Sequence, residues 1–193
     1  MTSSRLALRS IVLLFAGSLA VATAAGLFAG PPAPVDDVIA ATIDDSFPGE
    51  ATRVSVVEAR RQAEVLHAAV HSTLQLVHHT YFREDEGLPL PAGVMREMFS
   101  ELEAEEHVRL RWLAVEGQAM NTDHLPQTDF EQRAFESLKA GEKSYEAVAD
   151  GVYRRAGRIT LANQCLKCHV PDRKTTENRT AGLIIAIPVT SGE

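Results

Sequence analysis

The sequence predicts an α+β domain with an antiparallel sheet, on three observations. Two stretches, Ser55 to about Phe82 and Pro91 to Glu106, carry apolar residues at helical spacing. Asp150-Gly151 has the chemistry of a tight hairpin turn between two strand-like arms. The run Ala181-Gly182-Leu183-Ile184-Ile185-Ala186-Ile187-Pro188-Val189 reads as a buried final strand.

At the N-terminus, Arg5 and Arg9 precede an uncharged run from Ser10 to Val35, as in a signal sequence. Ala22-Thr23-Ala24 suits cleavage, but Ile11 to Gly30 is also long enough to span a bilayer as a helix. Residues 1–30 are therefore expected to be a signal peptide or a membrane anchor. Either places the remainder in the periplasm or on the outer face of the cytoplasmic membrane. No cysteine lies near this run, which excludes lipoprotein-type attachment. Residues 31–52, rich in Pro and Asp, read as a linker. Residues 53–193 are the folded domain.

Ser55 and Glu58 form a capping-box pattern before the first helix, which has no Gly or Pro through Phe82. The charged, Gly- and Pro-containing segment Arg83 to Pro91 ends it. The second helix carries Met95, Met98, Phe99 and Leu102 on one face, and a short loop predicts antiparallel neighbours. His107 to Val115 begins with period-two alternation and reads as a strand. Thr128 and Glu131 suggest a second capping box, opening a short helix that stops at Gly141. The hairpin Tyr145–Tyr153 follows, its second arm continuing to Leu161. A polar loop from Asp172 to Thr180 precedes the last strand. The count is about four to five strands, with both cysteines in the loop before the last one.

At 193 residues with 45% hydrophobic content, the chain has enough apolar material for a real core. A formal net charge of −7 argues against nucleic-acid binding, which needs a basic surface.

The two cysteines, Cys165 and Cys168, are followed directly by His169. Cys-x-x-Cys-His is the attachment signature of c-type haem: two thiols bond the porphyrin vinyl groups and the adjacent imidazole ligates iron. Export fits this, since covalent attachment happens outside the cytoplasm. A structural zinc would need a second ligand pair, and no further cysteine exists. A redox dithiol is expected to follow a strand and open a helix, a context the sequence does not suggest. A bare disulfide would leave His169 without a role.

From about Val108 to Val189 the chain resembles the PAS-like single-haem c-type domain of bacterial exported sensors and stand-alone haem proteins. "TDFEQRAFESLKAGEKSYE", "CLKCH" and "AGLIIAIPV" carry the resemblance, and the leading helix pair is similar too. It implies a PAS-like sheet holding one covalent haem c through Cys165 and Cys168, with His169 as proximal ligand. Two departures stand out. Ala119-Met120-Asn121-Thr122 replaces an Arg-Asn-Pro-like turn, and no spare cysteine exists to act as second iron ligand.

That second ligand must come from the histidines or methionines: His67, His71, His78, His79, His107, His124, Met95, Met98 or Met120. His67, His71, Leu74 and His78 share one stripe of the first helix. We rank His78 first, then His71, then His79, with Met95 as the thioether option. For each, the plainer alternative is a hydrogen-bonded boundary residue. Arg154, Arg155, Arg158, Arg173, Lys174 and Arg179 flank the motif and could pair with haem propionates, although solvated surface is the commoner fate. Trp112 and Phe135 could pack on a porphyrin, but single aromatics usually belong to the core.

The expected function is redox or small-ligand sensing by an exported or membrane-anchored haem domain. The alternative is a periplasmic electron carrier without a sensing role, either PAS-like or of the c-prime four-helix type. The bundle is disfavoured because its motif lies inside the last helix, whereas Pro171 follows here. No catalytic residue is singled out, so an enzyme is not expected. The expected partners are a redox or signalling protein, a small gas, or a second copy in a homodimer. With no signalling module after residue 193, a signal would pass to a partner or through the N-terminal segment.

Overall fold

The structure, a computed structural model, describes Phe47 and residues 49–190. The expected signal peptide or anchor, and nearly all of the linker, lie outside the described residues. Among those described, no helix is long and apolar enough to cross a membrane.

Helix α1 spans Val56–Thr80. Ser55 caps it, its hydroxyl accepting from the Glu58 N–H at 3.2 Å. The return half of the capping box is absent, because Glu58 instead accepts from Gln62 at 3.0 Å. Ser55→Ala is expected to cost about 1 kcal/mol, read by denaturant unfolding. Helix α2 spans Pro91–Glu106, with proline in its first turn, where no N–H is needed. His107 ends α2 in the left-handed conformation, with φ 55°. Strand β1 therefore starts at Arg109, not at His107, and runs to Ala114.

Helix α3 spans Asp129–Lys139 and is capped by Thr128. Strand β2 covers Ser144–Ala149 and β3 covers Val152–Leu161. Asp150 and Gly151, at φ 54° and 71°, make the hairpin turn that their residue types predict. Strand β4 runs from Arg179 to Pro188. The sheet is four-stranded and antiparallel, in the order β1-β4-β3-β2. The architecture is thus α+β, and a c-prime four-helix bundle is ruled out by the sheet.

Strand β4 is central and buried on both faces, which is why it reads as an unbroken apolar run. Leu183, Ile185 and Ile187 join Val70, Leu74, Phe99 and Trp112 under α1 and α2. Ile184, on the other face, packs with Leu113 of β1 and with Ala134 and Leu138 of α3. Trp112 is a core residue against Phe99, its indole N–H held by the Ala92 carbonyl at 3.1 Å. Phe135 packs with the α3 cluster.

The cysteines do not lie in a loop: Asn163–His169 forms a short helix, α4, directly after β3.

Candidate functional site

Leu166, fully buried, pins α4 to the body of the domain. The helix is closed by the Val170 N–H on the Leu166 carbonyl at 3.0 Å, and Arg173 donates to the same carbonyl at 3.3 Å. Cys165, Cys168 and His169 occupy positions i, i+3 and i+4, the spacing that shares one helix face. All three line one cavity of about 360 Å³, within the size range of small-molecule and cofactor sites. The thiols are free, not joined in a disulfide.

The rest of the wall comes from three other segments. The end of α1 and the residues after it supply His78 and Phe82, and α2 with its approach supplies Leu90, Ala92, Gly93 and Arg96. The turn Thr122–His124 and the residues before it supply Met120, Asn121 and His124. That turn is held by the Arg111 guanidinium, which binds Glu131 of α3 and the carbonyls of Asp123 and Leu125. Glu131 also accepts from the Gln127 N–H at 2.6 Å.

The loop between β1 and this turn clamps α4 from outside. The Gln118 N–H donates to the His169 carbonyl at 2.7 Å. Gly117, at φ +86°, comes so close that a Cβ there would sit 2.5 Å from the His169 oxygen. Gly117→Ala is expected to cost about 2 kcal/mol through this clash and the positive φ, read by denaturant unfolding.

Burial disfavours the charged form of the imidazoles in this cavity. Burial pushes His78 below the ordinary histidine value, partly opposed by its bond to the Leu74 carbonyl. That 3.3 Å bond uses Nδ1 as donor, which leaves Nε2 as the unprotonated nitrogen. His169 is lowered by burial and further by the charge of His78. His124 is lowered by burial, then by Arg111 and Arg96. Neutral imidazole is the form that ligates a metal.

The ranked second-ligand candidates separate clearly. His78 lines the cavity with the cysteines and His169. His71 does not: its Nε2 accepts from the Thr160 N–H at 3.3 Å. His79 is exposed and absent from the lining. Met95 packs in the core and lines a separate apolar cleft between α1 and α2. His67 is taken by the Arg158 carbonyl, His107 caps α2, and Met98 is a core side chain. His124 and Met120, named but unranked from the sequence, do line the cavity.

The arginines near the motif do not reach the cavity. Arg155 pairs with Glu146, Arg154 donates to the Ala149 carbonyl and Arg179 pairs with Glu177. The cations that line it are Arg96 and Lys167. Arg96 was missed because an arginine on an exposed helix face carries no local signal.

The strand–helix context used to discount a redox dithiol is in fact present, since α4 follows β3 directly. A different observation now disfavours that chemistry. Burial pushes the Cys165 thiol up, whereas a reactive dithiol needs a lowered value.

A family model described as Tll0287-like matches residues 52–185. No curated protein matches the chain. A solved structure described as "Crystal structure of the cyanobacterial heme-protein Tll0287" aligns with a TM-score of 0.44 at 19% identity. That alignment covers 72% of this chain and 95% of the other. With the family match running from before α1, through α4 and into β4, the chain belongs to the Tll0287-like family.

Proposed function

We propose that the chain is a single-haem c-type protein. One observation carries this reading: Cys165, Cys168 and His169 share a cavity with His78, a half-buried histidine from a different helix. The donor set fits a haem, with two thiols for the vinyl groups, neutral imidazoles for iron and apolar walls from Phe82, Leu90 and Ala92. Arg96 and Lys167, which also line the cavity, would offer positive charge to the propionates. The family's namesake is described as a heme-protein, which agrees with this donor set.

In this reading Cys165 and Cys168 would form the thioethers, and His169 and His78 would ligate the iron. The haem supplies a one-electron couple, and two histidine ligands hold its potential lower than a His/Met pair would. The helix pair over the sheet serves as a PAS-like sensor fold. The domain acts outside the cytoplasm in redox sensing, and it is not an enzyme. Its partner is a redox or signalling protein or a second copy of itself.

The test is the visible spectrum of protein matured with covalent haem, oxidised and reduced, with and without carbon monoxide. A low-spin spectrum in both states, unchanged by the gas, supports a redox role. A high-spin reduced state that binds the gas supports small-ligand sensing and removes His78 as a fixed ligand. Protein lacking covalent haem overturns the proposal.

A further inference from the structure

We infer that His67, His71 and Gln75 are positioning residues that set His78 in the cavity, and that His71 makes this setting sensitive to pH. The inference rests on the haem reading above. Strand β2 pairs with β3 only as far as Gly157, whereas β3 continues to Leu161. Beyond Gly157 one backbone bond, from the Arg158 N–H to the Lys143 carbonyl at 3.0 Å, still reaches the residue before β2, and past it that edge of β3 has no strand beside it. Unpaired backbone groups inside a fold are costly, so something must take them.

Side chains of α1 do so. His67 Nε2 meets the Arg158 carbonyl at 3.0 Å. The Thr160 N–H donates to His71 Nε2 at 3.3 Å. Gln75 Nε2 donates to the Thr160 carbonyl at 2.7 Å. Residues 67, 71 and 75 are spaced i, i+4, i+8, so one stripe of α1 stands in for the missing strand. Gly157 permits the approach, because a Cβ there would fall inside contact with the His67 ring.

This seam governs the site because both ends of it lead there. His78 lies three residues after Gln75 on α1, and Ala162, the N-cap of α4, lies two residues after Thr160. The seam therefore ties the helix carrying His78 to the helix carrying His169. A slip of α1 by one turn would move His78 by about 5.4 Å relative to α4.

His71 is the titratable hinge of the seam. It accepts from Thr160 only while Nε2 is unprotonated. His67 donates from Nε2 and keeps its bond in either state. The charged groups around the pair are Arg155 and Arg158 of β3, with Glu146 of β2 bound to Arg155 and to Arg60 of α1. On α1 the neighbour of His71 is His67, at 5.8 Å between ring centroids. Burial holds His71 below the ordinary 6.5, and burial with Arg155 does the same for His67. Folded-state values below the unfolded one mean the seam is at full strength above about pH 6.5 and weakens as pH falls through the lowered values.

The test uses the matured protein. Wild type is expected to be low-spin near pH 7.5 and to shift reversibly toward high-spin near pH 5. His71→Gln keeps an acceptor that does not titrate, and should stay low-spin across the range. His71→Leu should carry high-spin protein already near pH 7.5. A haem-independent readout is ¹⁵N NMR of the full chain as purified, expected to show His71 as its Nδ1–H tautomer and loss of Thr160 amide protection on acidification. A wild type with no transition, or a His71→Gln variant that titrates like wild type, overturns the inference. A protein without covalent haem overturns the haem reading instead, while the NMR result still decides the His71–Thr160 contact.

Discussion

Replacing Cys165 and Cys168 together by serine is expected to take covalently held haem from about one per chain to none. Serine nearly matches cysteine in size, and its hydroxyl can keep the contact that the Cys165 side chain makes with the Ala162 backbone. The helix is set by the buried Leu166, by backbone bonds to Ala162 and Leu166, and by Arg173. The four-stranded sheet and its hairpin should therefore survive, which far-UV circular dichroism reads. Loss of haem with a retained fold separates attachment from folding. Each single serine variant should keep one thioether and mature poorly.

His78→Ala is the second large effect. Covalent haem should remain, because Cys165, Cys168 and His169 are untouched. The low-spin spectrum should give way to a high-spin one, and added imidazole should restore it. The cost to the apoprotein should be small, about 1 kcal/mol, since the imidazole's protein hydrogen bond is the 3.3 Å contact to the Leu74 carbonyl. The neighbouring His79→Ala is the control: His79 is exposed and does not line the cavity, so its spectrum should match wild type. If the two variants behave alike, His78 is not the ligand.

Much of the fold was legible because the signals are local. Ser55, Pro91, Thr128 and Asp150-Gly151 each act within one turn of chain, and each marks an element boundary in the structure. The apolar run of β4 told of burial on both faces. Helix α4 was not legible for a physical reason. It has seven residues, too few for a 3.6-residue period to register, and its N-cap Ala162 makes no side-chain capping bond.

The site was legible in part. The spacing of Cys165, Cys168 and His169 is a local pattern, and the structure brings them to one wall. The choice between His71 and His78 was not local. Both lie on the same stripe of α1, and what separates them is the element beneath each. His71 meets the uncovered edge of β3, and His78 meets the cavity beside α4. Helical periodicity reports which face a residue is on, not which partner lies under it. Arg96 was hidden, and His124 went unranked, for the same reason, since their place in the cavity depends on how α2 and the Thr122–His124 turn meet α4.

Covalent attachment of haem to Cys165 and Cys168 is the central claim. The decisive measurement is haem retention after full denaturation, made on protein produced with c-type maturation machinery. Haem staining should travel with the polypeptide through denaturing electrophoresis, with a reduced pyridine spectrum typical of two saturated vinyl groups. Haem that washes away on denaturation, or that never binds, would contradict it.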